Sequence, residues 1–218
     1  LGNLFQQLYN TADSLIVGNF LGSNALAAVR SSGNLIFLMV GFFNGIAMGA
    51  GVVVARYYGA RQTDRLQRAI HTDGAFGIVA GILLTIIGLI LAPQMLIWMG
   101  TPADVLPNSL LYFRIYFMGS LAFVLYNVFV GILQSIGDSR HPLNYLILSS
   151  IVNIVLDLLF VVSFGMGIEG VALATVIAQY LSAVLTLYVL TTTDGPYRIC
   201  WKKLCMDWSL LYRIVCVG

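Results

Sequence analysis

Six apolar stretches, Leu4–Leu21, Leu35–Val54, Gly74–Met99, Tyr112–Ile136, Leu143–Phe164 and Val171–Leu190, each run close to the ~20 residues that a helix needs to cross a ~30 Å hydrocarbon layer. Strands of a membrane barrel are only about ten residues long and alternate apolar with polar. A run such as Gly77-Ile-Val-Ala-Gly-Ile-Leu-Leu-Thr-Ile-Ile-Gly-Leu-Ile-Leu does not alternate. Charged residues make up 9% of the chain, against roughly 25% in a soluble domain. These patterns predict an all-α, polytopic membrane protein: a six-transmembrane-helix bundle over residues 1–190, then a linker and the start of a seventh helix over residues 191–218. Leu1 opens directly into one apolar stretch and Trp208–Gly218 stops partway through another, so the sequence is expected to be a piece of a longer chain.

The basic residues orient this bundle. Arg56, Arg61, Arg65 and Arg68 follow the second stretch, Arg140 follows the fourth, and Arg198, Lys202 and Lys203 follow the sixth. The opposite connections hold just Arg30 and Arg114. The positive-inside rule makes the basic side, and with it the N-terminus, cytoplasmic. A basic cluster can also be a lipid or nucleic-acid patch, but the alternation with helix count favours topology, and no nucleic-acid partner is expected. A second six-helix half entering in the same orientation would be related to this one by an axis along the membrane normal, one of the two repeat plans of transporters. The polar, basic stretch Thr191–Arg213 would then be the cytoplasmic linker.

Cys200, Cys205 and Cys216 form no CxxC pair and lack a nearby His, so they read as free thiols rather than a metal site. Gly41, Gly45 and Gly49, and again Gly77 and Gly81, recur every four residues and predict close helix packing. All five prolines are expected at helix ends or in loops.

Against this background two carboxylates stand out. Asp13 and Asp157 lie within apolar stretches, while the other seven acidic residues are expected in or beside loops. A charge at the centre of a membrane helix costs about 2.5–3.5 kcal/mol on insertion scales, which makes such a residue a functional-site candidate by default. Asp157 is accompanied by no other Asp, Glu, Lys, Arg or His between Leu143 and Phe164. Polar residues also fall on helical stripes: Asn3, Gln6, Asn10 and Asp13 in the first segment; Ser149, Asn153 and Asp157 in the fifth; Thr175, Gln179, Ser182 and Thr186 in the sixth. Three polar faces turned inward bury these groups at least cost. For the Ser and Thr residues alone, interhelical hydrogen bonding is sufficient explanation; for Asp157 with Asn153 one turn earlier, and for Asp13, a functional site is the better one. Carboxylate, amide and hydroxyl oxygens suit a hard cation such as Na⁺, and burial beside a like charge also favours proton carriage. Both cations fit.

The segment Leu8-Tyr-Asn-Thr-Ala-Asp-Ser-Leu-Ile-Val-Gly-Asn-Phe-Leu-Gly-Ser-Asn-Ala-Leu-Ala-Ala resembles the first-helix signature of the MATE family, the multidrug and toxic compound extrusion transporters. Gly131-Ile-Leu-Gln-Ser-Ile-Gly-Asp-Ser-Arg-His-Pro resembles the end of that family's fourth helix, and Gly167-Ile-Glu-Gly-Val-Ala-Leu-Ala-Thr the start of its sixth. With Asn153-x3-Asp157, these matches follow family order across nearly the whole chain and resemble the bacterial and archaeal DinF-type branch.

The resemblance implies a multi-pass protein of the cell inner (plasma) membrane, not an enzyme and without a cofactor. It implies the N-terminal lobe of a twelve-helix antiporter whose two lobes rock between outward- and inward-open states, exporting organic cations and amphipathic drugs in exchange for Na⁺ or H⁺. Its partners would be drug-like small molecules, the lipid bilayer and a C-terminal lobe of the same protein. The cation site implied by resemblance comprises Asp13, Asn153, Asp157 and Thr175, which is also where Na⁺ would bind. Gln6, Asn10, Tyr112 and Gln179 would line the substrate cavity, with Tyr116 one turn from Tyr112. Alternatives are a lipid-linked sugar flippase of the same superfamily, disfavoured because no arginine is expected mid-helix, and a non-transporting half-protein. An intramembrane aspartyl protease fits poorly: Asp13 follows Ala12 rather than Tyr, and Ser135-Ile-Gly-Asp138 lacks the first Gly of a Gly-x-Gly-Asp motif.

Overall fold

The computed structural model describes residues 11, 14–200 and 206–217, with backbone alone at some positions of 24–47 and at 215 and 217. Among these residues the chain is helical throughout, with no strand: α1 (Ser23–Gly59), α2 (Thr63–Trp98), α3 (Leu106–Met118), α4 (Ser120–Ser135), α5 (Arg140–Leu158), α6 (Ile168–Thr192) and α7 (Trp208–Val217). Two five-residue π-helical turns complete it, Val17–Leu21 before α1 and Leu159–Ser163 continuing α5. α1 and α2 hold the second and third apolar segments, the fourth is split into α3 and α4, and α5, α6 and α7 are the fifth, sixth and seventh. Three helices, α2, α5 with its π turn, and α6, are long and apolar enough to cross a membrane, and α3 with α4 makes a fourth crossing bent by 47°. This is a multi-pass membrane protein.

Hydrophobic runs set where helices exist, but the helices outrun them. α1 starts at Ser23 rather than Leu35, and α2 at Thr63 rather than Gly74. At 1.5 Å per residue the 36 residues of α2 extend for ~54 Å, well beyond the hydrocarbon thickness. The surplus lies at the arginine-rich end, where exposed Arg61, Arg65 and Arg68 accompany the first turns. Further along, Ile82, Leu83, Ile86, Ile87 and Ile90 are all exposed, as expected of a face that meets lipid. Pro93 lies inside α2, not at an end. Its flanking Ala92 and Leu96 are fully buried against Phe113 and Phe117, and packing of that kind compensates a missing amide in a membrane helix.

Three apolar clusters are stacked along the bundle. At the arginine-rich end, Val53, Val54 and Tyr57 of α1 meet Leu66 and Ile70 of α2, Val128, Ile132 and Leu133 of α4, Leu190 of α6, and Leu210 and Ile214 of α7. At the other end Ile16, Val17 and Val161, from the two π turns and the residue before the first, join Tyr112 of α3 and Ile168 and Val171 of α6. Ala92, Leu96, Phe113 and Phe117 form the third.

Glycine permits the closest approaches, though not always where its spacing suggests. A Cβ on Gly81 would lie 2.7 Å from Leu121 Cδ1 and 2.9 Å from Leu121 Cα, and one on Gly77 would lie 3.2 Å from Val128 Cγ2. The tightest site is Gly88, whose added Cβ would overlap the Phe117 ring. On α1, by contrast, Gly41 faces open space, whereas a Cβ on Gly51 would lie 3.4 Å from the Gly131 carbonyl oxygen.

Between α4 and α5 the chain reverses through Gly137, at φ +91°, a conformation that disfavours any side chain. Asp138 then caps α5: its carboxylate accepts the N–H groups of Arg140 and His141, both at 3.2 Å, and the His141 Nδ1 proton at 2.6 Å. Partial burial pushes this carboxyl up, but the bonds and charge of His141 and the Arg140 amide outweigh it and hold it below the usual carboxylate range.

Two outcomes are expected in thermal unfolding of the full-length protein. Gly88→Ala destabilises it by about 1–3 kcal/mol through overpacking, whereas Gly59→Ala, with nothing within 4 Å of the added methyl, is neutral within error. Asp138→Ala costs about 1 kcal/mol at neutral pH. Because the folded-state carboxyl is depressed, its contribution is complete above the ordinary aspartate pKa and vanishes as pH falls through the lowered value, so mutant and wild type converge in acid.

Candidate cation and substrate site

α5 and α6 are joined by the short connection Phe164–Gly167, in which the Gly167 N–H donates to Glu169 Oε1 at 3.1 Å. They pack as antiparallel neighbours with their polar stripes turned inward. Asn153 and Asp157 are fully buried and Thr175 is 3% exposed. Asn153 Nδ2 donates to Thr175 Oγ1 at 3.5 Å, and Thr175 in turn donates to the Val171 carbonyl at 3.0 Å. The threonine proton is thus committed to its own helix, leaving lone pairs of its oxygen directed at the amide. One turn beyond Asn153, Asp157 precedes the π turn Leu159–Ser163. Such turns occur frequently at functional sites. The second π turn, Val17–Leu21, packs against the first and begins four residues after Asp13 in sequence.

The remaining predicted residues separate into groups. Tyr112 is buried in the cluster that contains Val161 and Val171, which places it beside the layer of Asp157 and Thr175, and its ring stacks on Tyr116 with centroids 6.2 Å apart. Gln179 lies one turn from Thr175 and abuts the α3–α4 break: its Oε1 is 2.7 Å from where a Gly119 Cβ would be. That oxygen is buried without a hydrogen-bond partner, as is the Ser120 hydroxyl. Ser182 and Thr186 donate to carbonyls one turn back, at 3.0 and 2.7 Å, so simple satisfaction within the helix accounts for them. Gln6, Asn10 and Asp13 lie outside the described residues. Among the described residues no three His, Cys, Asp or Glu side chains converge as a metal cluster. A cavity of about 540 Å³ at the arginine-rich end, lined by Tyr58, Arg61, Thr63 and Pro196, contains none of the predicted residues.

One buried carboxylate escapes the sequence reading. Asp73, expected beside a loop, is three turns into α2 and completely buried, and neither of its oxygens has a hydrogen-bond partner. The spacing Leu66, Ile70, Asp73, Gly77 places it on the buried face, a signal masked by the arginines that precede it. Asp138, by contrast, stands beside a loop as expected, partly exposed, and receives the first N–H groups of α5.

The MatE family model matches residues 1–159. Over 225 residues, 100% of this chain and 49% of the relative, the sequence is 33% identical to the probable multidrug resistance protein YoeA of Bacillus subtilis (strain 168). It is 27% identical to the DNA damage-inducible protein F of Escherichia coli (strain K12), over 85% of this chain and 40% of that one. Among solved structures, a crystal structure of MATE in the bent conformation superposes with a TM-score of 0.92 at 28% identity, covering 100% of this chain and 48% of that chain. The chain spans about half the length of the curated relatives it matches.

The Asn153–Thr175 bond yields a stability test. Thr175→Val is expected to cost about 1–3 kcal/mol, because it removes the acceptor from a buried amide, while Thr175→Ser retains most of the wild-type unfolding midpoint.

Proposed function

We propose, from the premise that this chain belongs to the MATE family, that it is the N-terminal lobe of a secondary active multidrug antiporter. Residues 1–190 form the lobe, and residues 191–218 lead toward a second lobe. The exported molecules are organic cations and amphipathic drugs, and the driving ion is Na⁺ or H⁺. The observation that carries this reading is a fully buried carboxylate, Asp157, one turn from an amide–hydroxyl pair shared by two membrane helices.

The chemistry follows from charge. A carboxylate charge in a dry site is costly, and either a proton or a sodium ion lowers that cost. Asp157 would supply the negative charge, the Asn153 carbonyl and Thr175 hydroxyl neutral oxygens, and Asp13 a second carboxylate. Two neighbouring carboxylates repel when empty, so loading relaxes helix packing as well as charge. A cationic drug held by the same negative potential is disfavoured once the coupling ion is bound, and linkage requires the disfavour to be mutual and equal. Drug release would accompany cation entry on the outer side, and affinity would return when the cation leaves to the inside. Tyr112 and Gln179, with Gln6 and Asn10, would line the drug path. The arginine-rich end and the N-terminus would face the cytoplasm, by the distribution of Arg56, Arg61, Arg65 and Arg68.

In proteoliposomes of the full-length protein, Asp157→Asn, which mimics the charge of the ion-loaded site, is expected to abolish gradient-driven efflux of ethidium and to weaken ethidium binding. Full efflux by this variant would overturn the reading. Imposing a Na⁺ gradient and a pH gradient separately on the wild type identifies the coupling ion.

A further inference from the structure

Residues 71–73 of α2 are three consecutive polar positions, His71, Thr72 and Asp73, each at most 1% exposed. The first two have evident work. His71 Nδ1 donates to the Gln67 carbonyl at 2.6 Å while its Nε2 accepts the Cys200 N–H at 3.0 Å, an arrangement available to the neutral ring. Thr72 Oγ1 accepts the Asp207 N–H at 3.3 Å. One turn earlier, Gln67 Nε2 donates to the carbonyls of Pro196 and Arg198. The connection between α6 and α7 is therefore fastened through its backbone to one turn and a half of α2. Its Ile199 is buried and donates its N–H to Leu190 O at 2.8 Å, and Leu210 and Ile214 of α7 enter the same apolar cluster as Leu66 and Ile70.

Asp73 shares this burial and has none of these bonds. Nor, among the described residues, does any charged neighbour answer it. On α2, Arg68 is exposed and both His71 nitrogens are engaged. On α1, Arg56 is exposed and Tyr57 is buried in the apolar cluster. On α4, Tyr126 donates to Pro142 O. On the connection, Arg198 donates to Thr191 O and the Asp207 carboxylate accepts from Ser209 and Leu210. On α7, Tyr212, Arg213 and Cys216 are exposed. The one ion pair among the described residues is Asp138 with His141.

We propose that Asp73 is a proton-binding site, occupied while residues 196–200, Asp207 and α7 are seated on α2 and emptied when they lift. A dry carboxylate without a partner is far costlier than a dry carboxylic acid, whose deficit is one or two hydrogen bonds. The O–H bond of the acid breaks only as water reaches it, the proton passes to that water, and the anion remains hydrated. Leu210 and Ile214 of α7 share the apolar cluster of Leu66 and Ile70, on the same face of α2 as Asp73, so lifting the strap opens a way for water. Proton occupancy and strap closure are therefore one equilibrium. It is separate from the Asp157 site and does not depend on the transport reading.

The test uses the full-length protein in lipid nanodiscs, with infrared difference spectra and hydrogen exchange recorded over a pH series and corrected for intrinsic exchange rates. The expected result is a carboxylic-acid C=O band present in wild type and in Asp157→Asn but absent in Asp73→Asn. As pH rises, wild type should lose that band together with amide protection at Ile199, Cys200 and Asp207, whereas Asp73→Asn keeps its protection. Asp73→Leu, which suits an apolar slot, provides the same readout if the Asn variant does not fold. The proposal is overturned if the band survives replacement of Asp73, or if wild-type protection over residues 196–207 is unchanged while the band titrates.

Discussion

Inside a bilayer, polar groups have no water to fall back on, so each must find its partner within the protein. Most of the buried hydroxyls obey this by the shortest route. Thr85, Ser182, Thr186 and Thr191 each donate to the carbonyl one turn back, and Tyr180 reaches the Met118 carbonyl beside the α3–α4 break at 3.1 Å. What distinguishes the Asn153–Thr175 pair is that it crosses between helices and stands beside a carboxylate. The residues that local bonding absorbs are architectural, and the candidate site is what remains after they are subtracted.

Much of this was legible from spacing alone. Asn153, Asp157 and Thr175 lie on period-four stripes, and antiparallel helices with inward polar faces bring such stripes together. Gly77 and Gly81 likewise mark a real contact with α4. Other features depend on tertiary partners and leave little trace. The break falls at Gly119-Ser120, a pair that can kink a helix, and Val176 and Gln179 of α6 approach so closely there that an added Cβ would lie within 3.0 Å of both. Gly41 has the spacing of a packing glycine and faces open space, because spacing specifies a face and not its neighbour.

Asp73 was obscured for a different reason. Hydropathy locates the boundary of the membrane core, and that boundary is not the boundary of the helix. Arg65 and Arg68 hold off the apolar run although α2 already includes them, since arginines on an exposed face cost a helix nothing. A carboxylate just past them therefore reads as lying beside a loop, although it stands three turns into the helix. Asp138 lies beside a loop in both the sequence and the structure, where it receives the first N–H groups of α5.

The 47° bend at Gly119 divides more than one helix. α3 belongs to the clusters at one end of the bundle and α4 to the cluster at the arginine-rich end, while α6 runs unbroken past both. A tilt of α4 thus need not carry α3 with it. Because α6 passes both clusters, any rotation of it would swing Thr175 and Gln179 relative to Asn153, which ties the geometry of the candidate site to the packing at the far end of the same helix.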